Sequence, residues 1–465
     1  MAGTVTRLSS VDAAWLKMED PTNLMMVTGV LTFTGPLDFR LFKSLIAGRL
    51  LQFERFSQRV VRPSLPFVPP YWEFDPHFNL NAHLHHVALP HPGDKAALQE
   101  MVSDQISTAL DFSKPLWQMH VVEGYGDGGA LIVRLHHSMA DGMAVVGVLL
   151  ALTELAPEST DWPANGDLPE NISSTGWEGS LQALRQQADT FFDTSIDLGR
   201  RTLIEGLESY LNPDRPRQLA ELGSDYAYAA SKLMLRAPDP PTAFKGPLGI
   251  SKRVAWSRPL PLSEVKAMRR ATGATINDLM VAAVTGSLRR YLEKRGEEVV
   301  DVRAAVPVNL RSPAEMGEMG NKFGFVFLDL PVTVSSIKER LATIRHRMEN
   351  LKESQEAPVS LDILSGMGLS PQMIQDIVVR IIGAKATAVL TNIPGPPIPL
   401  FLADQAIESL MFWVPQSGRL GLGISLTSYA GNISLGVATD SGLVPDPDEI
   451  VQGFYSEYDE LLALI

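Results

Sequence analysis

The string His136-His137-Ser-Met-Ala-Asp141-Gly142 holds the residues of this chain whose types and spacing are best suited to chemistry. A neutral imidazole, with an ordinary pKa of about 6.5, can take a proton from an alcohol at physiological pH and pass it to a leaving group. Upstream, 130–135 alternates and is rich in branched residues, as a buried strand requires; downstream, 143–155 is a mostly apolar run of helical length. The motif therefore sits where a strand gives way to a helix. Neighbouring side chains on a strand point to opposite faces, so His136 and His137 are not placed to grip one metal ion or act on one substrate atom. One is available for chemistry and the other packs. At a helix start, Asp141 can cap backbone N–H groups or pair with an arginine, and Gly142 lets two backbones approach closely.

The elements that must hold this turn are legible on both sides of it. Gly124-Tyr-Gly126-Asp-Gly-Gly129 matches the dinucleotide pattern GxGxxG, but a strand follows where that motif needs a helix. A hairpin turn joining strands at 117–123 and 130–135 is expected instead. Residues 1–155 mix strand and helix signals and form a first domain. A Pro, Gly, Asp and Ser-rich linker follows at 156–179, then helical patterns to about 235, broken by Asn212-Pro213-Asp-Arg-Pro216 and Pro238-Asp-Pro-Pro241. Residues 156–245 thus read as linker and helical connector, and 246–465 as a second mixed domain. Helices are expected over 277–295, ended by Gly296, and over 335–352, with strands at 323–330, 421–428 and 432–438.

At 465 residues with 45% hydrophobic content, the chain is long enough for two cores. Its 40 Lys and Arg against 53 Asp and Glu leave a net charge of -13, which argues against a nucleic-acid partner but not against a local basic site for a phosphate-bearing ligand. There is no cysteine, so neither a disulfide nor a cysteine-bound acyl intermediate exists. No GxSxG elbow supports a serine-hydrolase mechanism, which favours direct transfer. The amino terminus lacks the organisation of a secretory signal, and no uncharged apolar run reaches the roughly 18 residues of a spanning helix. His83 and His85 lie two apart, yet no cysteine or carboxylate cluster completes a metal site; they read as exposed strand histidines, and no metal is expected.

Further strings stand in order along the chain: Leu8-Ser-Ser-Val-Asp12-Ala-Ala-Trp15, Pro115-Leu116-Trp117, Asn277-Asp278 and Asn392-Ile-Pro-Gly-Pro396. With the HHxxxDG motif they resemble the bacterial wax ester synthase/diacylglycerol acyltransferase family, over nearly the whole chain. That resemblance implies an α/β fold of two mixed-sheet domains of the chloramphenicol-acetyltransferase-like, CoA-dependent acyltransferase type, with a channel between them. It implies transfer of a long-chain acyl group from acyl-CoA to diacylglycerol, and also to fatty alcohols. Acyl-CoA would be a co-substrate, with no permanently bound cofactor. His137 would be the general base, with His136, Asp141 and Gly142 shaping the loop and Asn277 a polar contributor that otherwise simply caps its helix. Arg311 would pair with Asp141 and tie the domains together. Such an enzyme would be cytoplasmic, collecting lipids at the inner face of the membrane or at lipid inclusions. The other readings are a condensation domain fed by carrier proteins and a non-catalytic protein of lipid surfaces. The segment 374–382 carries Ile374, Ile377, Val378, Ile381 and Ile382 at helical intervals, for which core packing is the default and lipid contact the alternative.

Overall fold

The computed structural model describes residues 5–63, 69–156, 228, 231–233, 235–311, 319–352, 354–416 and 418–465. In the amino-terminal half the order is β1 (Thr6–Arg7), α1 (Ser10–Met18), β2 (Met26–Phe33), α2 (Phe39–Arg49), β3 (Gln58–Val61), β4 (Tyr71–Phe74), β5 (Leu84–Ala88), α3 (Lys95–Ile106), β6 (Trp117–Tyr125), β7 (Gly128–His136) and α4 (Gly142–Leu152). β6 and β7 pair antiparallel across the glycine-rich hairpin, where Gly124 and Gly126 take positive φ. The GxGxxG string is therefore a turn. β7 lies between β2 and β6 and is buried along most of its length, which is why its sequence is a nearly continuous apolar run.

The carboxy-terminal half holds β8 (Lys252–Trp256), β9 (Leu260–Pro261), α5 (Leu262–Thr272), α6 (Ile276–Lys294), β10 (Val302–Asn309), β11 (Phe323–Leu330), α7 (Ile337–Lys352), α8 (Glu356–Leu369), α9 (Gln372–Gly383), β12 (Ala388–Pro394), β13 (Phe401–Leu402), β14 (Gln405–Trp413), β15 (Leu422–Tyr429), β16 (Asn432–Asp440) and α10 (Pro447–Leu462). Its sheet runs β11-β10-β12-β15-β16-β8, with β9 also on β16, and pairs β10-β12 and β12-β15 in parallel. α6 is buried almost all round from Leu279 to Leu288 and forms the middle of this half's core.

The two halves are interlocked. The amino-terminal sheet runs β13-β14-β2-β7-β6-β5, so its first two strands come from the second half of the chain. β14 pairs antiparallel with β2 and buries Ile407, Met411 and Trp413. The expected division at 1–155 and 246–465 is thus crossed by 401–413: β7 pairs with only one edge of β2, and β14 satisfies the other. A third core joins the sheets, with Val30 and Ile132 of one half packed against Val254, Trp256, Met411 and Trp413 of the other. Most of 156–245, expected as linker and connector, lies outside the described residues.

Candidate active site

β7 ends at His136, and the next five residues turn into α4. The turn is held from three directions. His136 N–H donates to Leu116 O at 2.9 Å, and His137 N–H donates to Met25 O at 2.7 Å. From the other half, Gly320 N–H donates to Met139 O and Asp141 N–H donates to Gly320 O, both at 3.1 Å. The Pro115-Leu116-Trp117 string contributes through its backbone and through the Trp117 indole, whose Nε1 donates to Phe56 O at 2.8 Å. His83 is not an exposed strand residue: it is buried just before β5, stacked on Trp117, with Nδ1 at 2.8 Å from Trp117 O. The ring covers the indole beside the turn, and that burial is what replaces solvent.

The adjacent histidines have separate surroundings. At His136, Nδ1 accepts from Ser138 N–H at 3.0 Å, which leaves the proton to Nε2, 3.5 Å from Glu19 Oε2. His137 is sandwiched instead, its ring stacked on Trp15 at 4.2 Å and tilted against Phe323 at 5.5 Å. Burial pushes the His137 imidazole down to about 4, against the opposing pull of the Asp141 carboxylate. It is neutral at physiological pH. Nδ1 of His137 is buried, which leaves Nε2 as the nitrogen toward the adjoining cavity.

Asp141, four residues on, is nearly saturated. Its Oδ1 accepts from Ala144 N–H at 3.0 Å and caps α4; its Oδ2 accepts from Arg311 Nε and Nη2 at 3.0 and 2.8 Å and from Lys322 N–H at 3.1 Å. Arg311 also donates to Gly320 O at 2.6 Å. Gly142 is the first residue of α4, and a Cβ there would come within 2.3 Å of the Ile393 side chain. The glycine is what lets α4 meet β12.

His137, Asp141 and Gly142 border a cavity of about 1190 Å3, counted out to its mouth, that runs between the halves. Trp15 and Met18 form one wall; Phe325, Phe327, Val389 and Leu420 form the other. A mostly apolar slot with one imidazole and a few polar groups suits a long hydrocarbon chain whose reactive end stops at the ring. Among the described residues no group of three or more His, Asp or Glu is placed to hold a metal ion.

The catalytic-domain model of wax ester synthase/diacylglycerol acyltransferase matches residues 8–280, and the C-terminal domain model of the same family matches 319–462. The chain belongs to the wax ester synthase/diacylglycerol acyltransferase family. It is 26% identical over 470 residues to a Mycobacterium tuberculosis protein named as a diacylglycerol O-acyltransferase, covering 99% of this chain and 96% of that one. A second M. tuberculosis protein so named is 29% identical over 430 residues, covering 88% and 85%. Among solved structures, the wax ester synthase/diacylglycerol acyltransferase of Marinobacter aquaeolei VT8 superposes with a TM-score of 0.67 at 22% identity, covering 98% of both chains. The starter condensation domain of rhizomide synthetase, solved with C8-CoA, superposes at 0.57 and 12% identity, covering 99% of this chain and 94% of that one. The fold is the one shared with these solved structures, and the family makes the protein an acyltransferase.

Membership in the family does not fix what each motif residue touches. Asn277 does not cap α6: Thr275 does, in a capping box with Asp278, because Thr275 precedes the first helical turn. Asn277 Oδ1 instead accepts from Asn392 Nδ2 at 3.0 Å, which joins the ND string to the NIPGP string. α9 carries the other departure. Ile374, Ile377 and Ile381 are exposed rather than core, while Val379 and Ile382 on the opposite side line the cavity. Trp15, Glu19, Asp12 and Asn321 make contacts here that the sequence alone does not give. All four lie around the two imidazoles, on α1, the loop after it or the approach to β11; the Leu8 to Trp15 string marks Asp12 and Trp15, and no sequence pattern marks Glu19 or Asn321.

Proposed function

We propose that the protein transfers a long-chain acyl group from acyl-CoA to the hydroxyl of diacylglycerol, giving triacylglycerol, and accepts fatty alcohols as well, giving wax esters. The observation that carries this reading is a buried, neutral His137 on the wall of an apolar cavity between two halves. His137 Nε2 takes the hydroxyl proton as the oxygen attacks the thioester carbonyl carbon. The tetrahedral intermediate then expels the CoA thiolate, which takes that proton from the imidazolium. General base catalysis of this kind supplies about 10²- to 10⁴-fold; alignment of the two substrates in the slot supplies a further share. The Asp141 charge nearby favours the imidazolium, and Asp141 and Arg311 hold the turn between the halves.

Both substrates are lipids, and no helix of the described residues is long and apolar enough to cross a membrane. We infer that the protein works at a membrane or lipid-inclusion surface, with the exposed face of α9 as its contact. The names of the mycobacterial relatives support the diacylglycerol assignment. Incubation with labelled acyl-CoA and a panel of diacylglycerol, fatty alcohol and short alcohols tests it. Labelled triacylglycerol is the expected main product, with wax ester from the fatty alcohol. No product from either lipid acceptor overturns the reading.

A further inference from the structure

Residues 320–322 run alongside the motif turn and are bonded to it at each step. Gly320 pairs with the backbone of Met139 and Asp141, Lys322 N–H donates to Asp141 Oδ2, and Asn321 between them reaches the other way, toward His137. Asn321 Nδ2 donates to Asp12 Oδ1 and to the His137 carbonyl oxygen, each at 2.7 Å. A carboxylate and a carbonyl only accept, so the amide must turn its NH2 toward them and its oxygen away. That oxygen is buried and makes no hydrogen bond, and the buried His137 Nδ1 meets no acceptor outside its own backbone. A buried polar atom left without a partner costs about 1 to 3 kcal/mol, so two such atoms on neighbouring groups call for each other.

We propose that Asn321 is a positioning residue for His137: its Oδ1 accepts from His137 Nδ1–H while Asp12 anchors its Nδ2. An oxygen that only accepts selects the imidazole tautomer with hydrogen on Nδ1, which leaves the Nε2 lone pair toward the acceptor hydroxyl. After the Asp141 carboxylate, the Asn321 amide and the carbonyl of His137 itself are the groups that raise the proton affinity of His137 against the effect of burial. Asp12 and Trp15 stand one turn apart on α1, so one helix face both anchors the amide and stacks on the ring. His136 has the opposite arrangement, with a backbone N–H donating to its Nδ1. The charged groups facing His137 are Asp141 and, through Asn321, Asp12; His136 is the other titratable neighbour.

The inference rests on His137 as the base. Its direct test is the nitrogen spectrum of the full-length enzyme labelled with 15N-histidine, with the His137 signals found by difference from His137→Gln. The wild type is expected to show hydrogen on Nδ1 and an unprotonated Nε2. Asn321→Leu is expected to lower kcat on the order of 10²-fold, to leave KM for acyl-CoA within about twofold, and to move the acid limb of the kcat profile to lower pH. Asp12→Asn should show a smaller loss in the same direction. Hydrogen on Nε2 in the wild-type enzyme overturns the proposal without any variant having to fold, as does a folded Asn321→Leu enzyme with wild-type kcat. An active His137→Ala enzyme would instead overturn the base assignment itself.

Discussion

The two histidines of the motif differ because the donors and acceptors around them differ. His136 meets a backbone N–H, Ser138 and Glu19; His137 meets two aromatic rings and a cavity. His137→Ala is therefore expected to lower acyl transfer by 10² to 10⁴ or so, read as CoA release with a thiol reagent, while the protein still unfolds cooperatively. His136→Ala should act mainly by lowering the melting temperature. Asp141 has a different vulnerability, since its ion pair with Arg311 is almost wholly buried. Removing one partner leaves the other charged and unpaired, at about 3 to 5 kcal/mol, so Asp141→Asn and Arg311→Ala should both lower the melting temperature and the rate. Unchanged melting of both variants would show that the pair holds nothing. The motif was legible because its chemistry is local: two imidazoles, a helix-capping carboxylate and a glycine within seven residues. Asn321 and Asp12 were not, because each is an ordinary polar residue until the fold sets them 309 positions apart in sequence and in hydrogen-bond contact.

The elements show the same division between local pattern and tertiary contact. The strand, turn and helix around the motif follow from alternation, glycines and an apolar run, and they stand where those signals put them. α9 was visible as a helix, but periodicity alone does not say which side meets the protein. Its Gln375 is buried and donates to Ala14 O at 2.9 Å, Val379 and Ile382 line the cavity, and Met373, Ile374, Ile377 and Ile381 face outward. An apolar face left in solvent beside an apolar cavity is suited to a lipid interface. Ile377→Glu with Ile381→Glu is expected to abolish flotation with diacylglycerol-containing liposomes while leaving the melting temperature within a few degrees. A folded double variant that floats as the wild type does would place the contact elsewhere.

At the scale of the whole molecule, composition and length indicated two cores, but not that β14 would leave its own half to complete the other sheet. Strand exchange of this kind depends on which edges stay open once the sheets form, and no residue pattern encodes it. The interlocked halves should unfold together, so stability in acid is a property of the whole chain. Burial lowers the imidazoles of His83, His120 and His137, the last two to about 4, so the folded protein keeps them neutral. In the unfolded chain they titrate near 6.5. Between pH 7.5 and 5.5 the unfolded state therefore binds protons that the folded state refuses, and stability falls as pH falls. Buried carboxyls such as Asp12 and Glu457 act in the opposite sense at lower pH, because burial raises their proton affinity in the fold. A variant isolates the histidine contribution. His120, stacked on His85 at 4.6 Å, lies outside the catalytic turn, and His120→Asn should remove on the order of 1 kcal/mol of the acid sensitivity over that interval. The melting temperature of the wild type is expected to drop more between pH 7.5 and 5.5 than that of His120→Asn. Parallel decreases in the two proteins would show that His120 takes up its proton in the fold as it does in the unfolded chain.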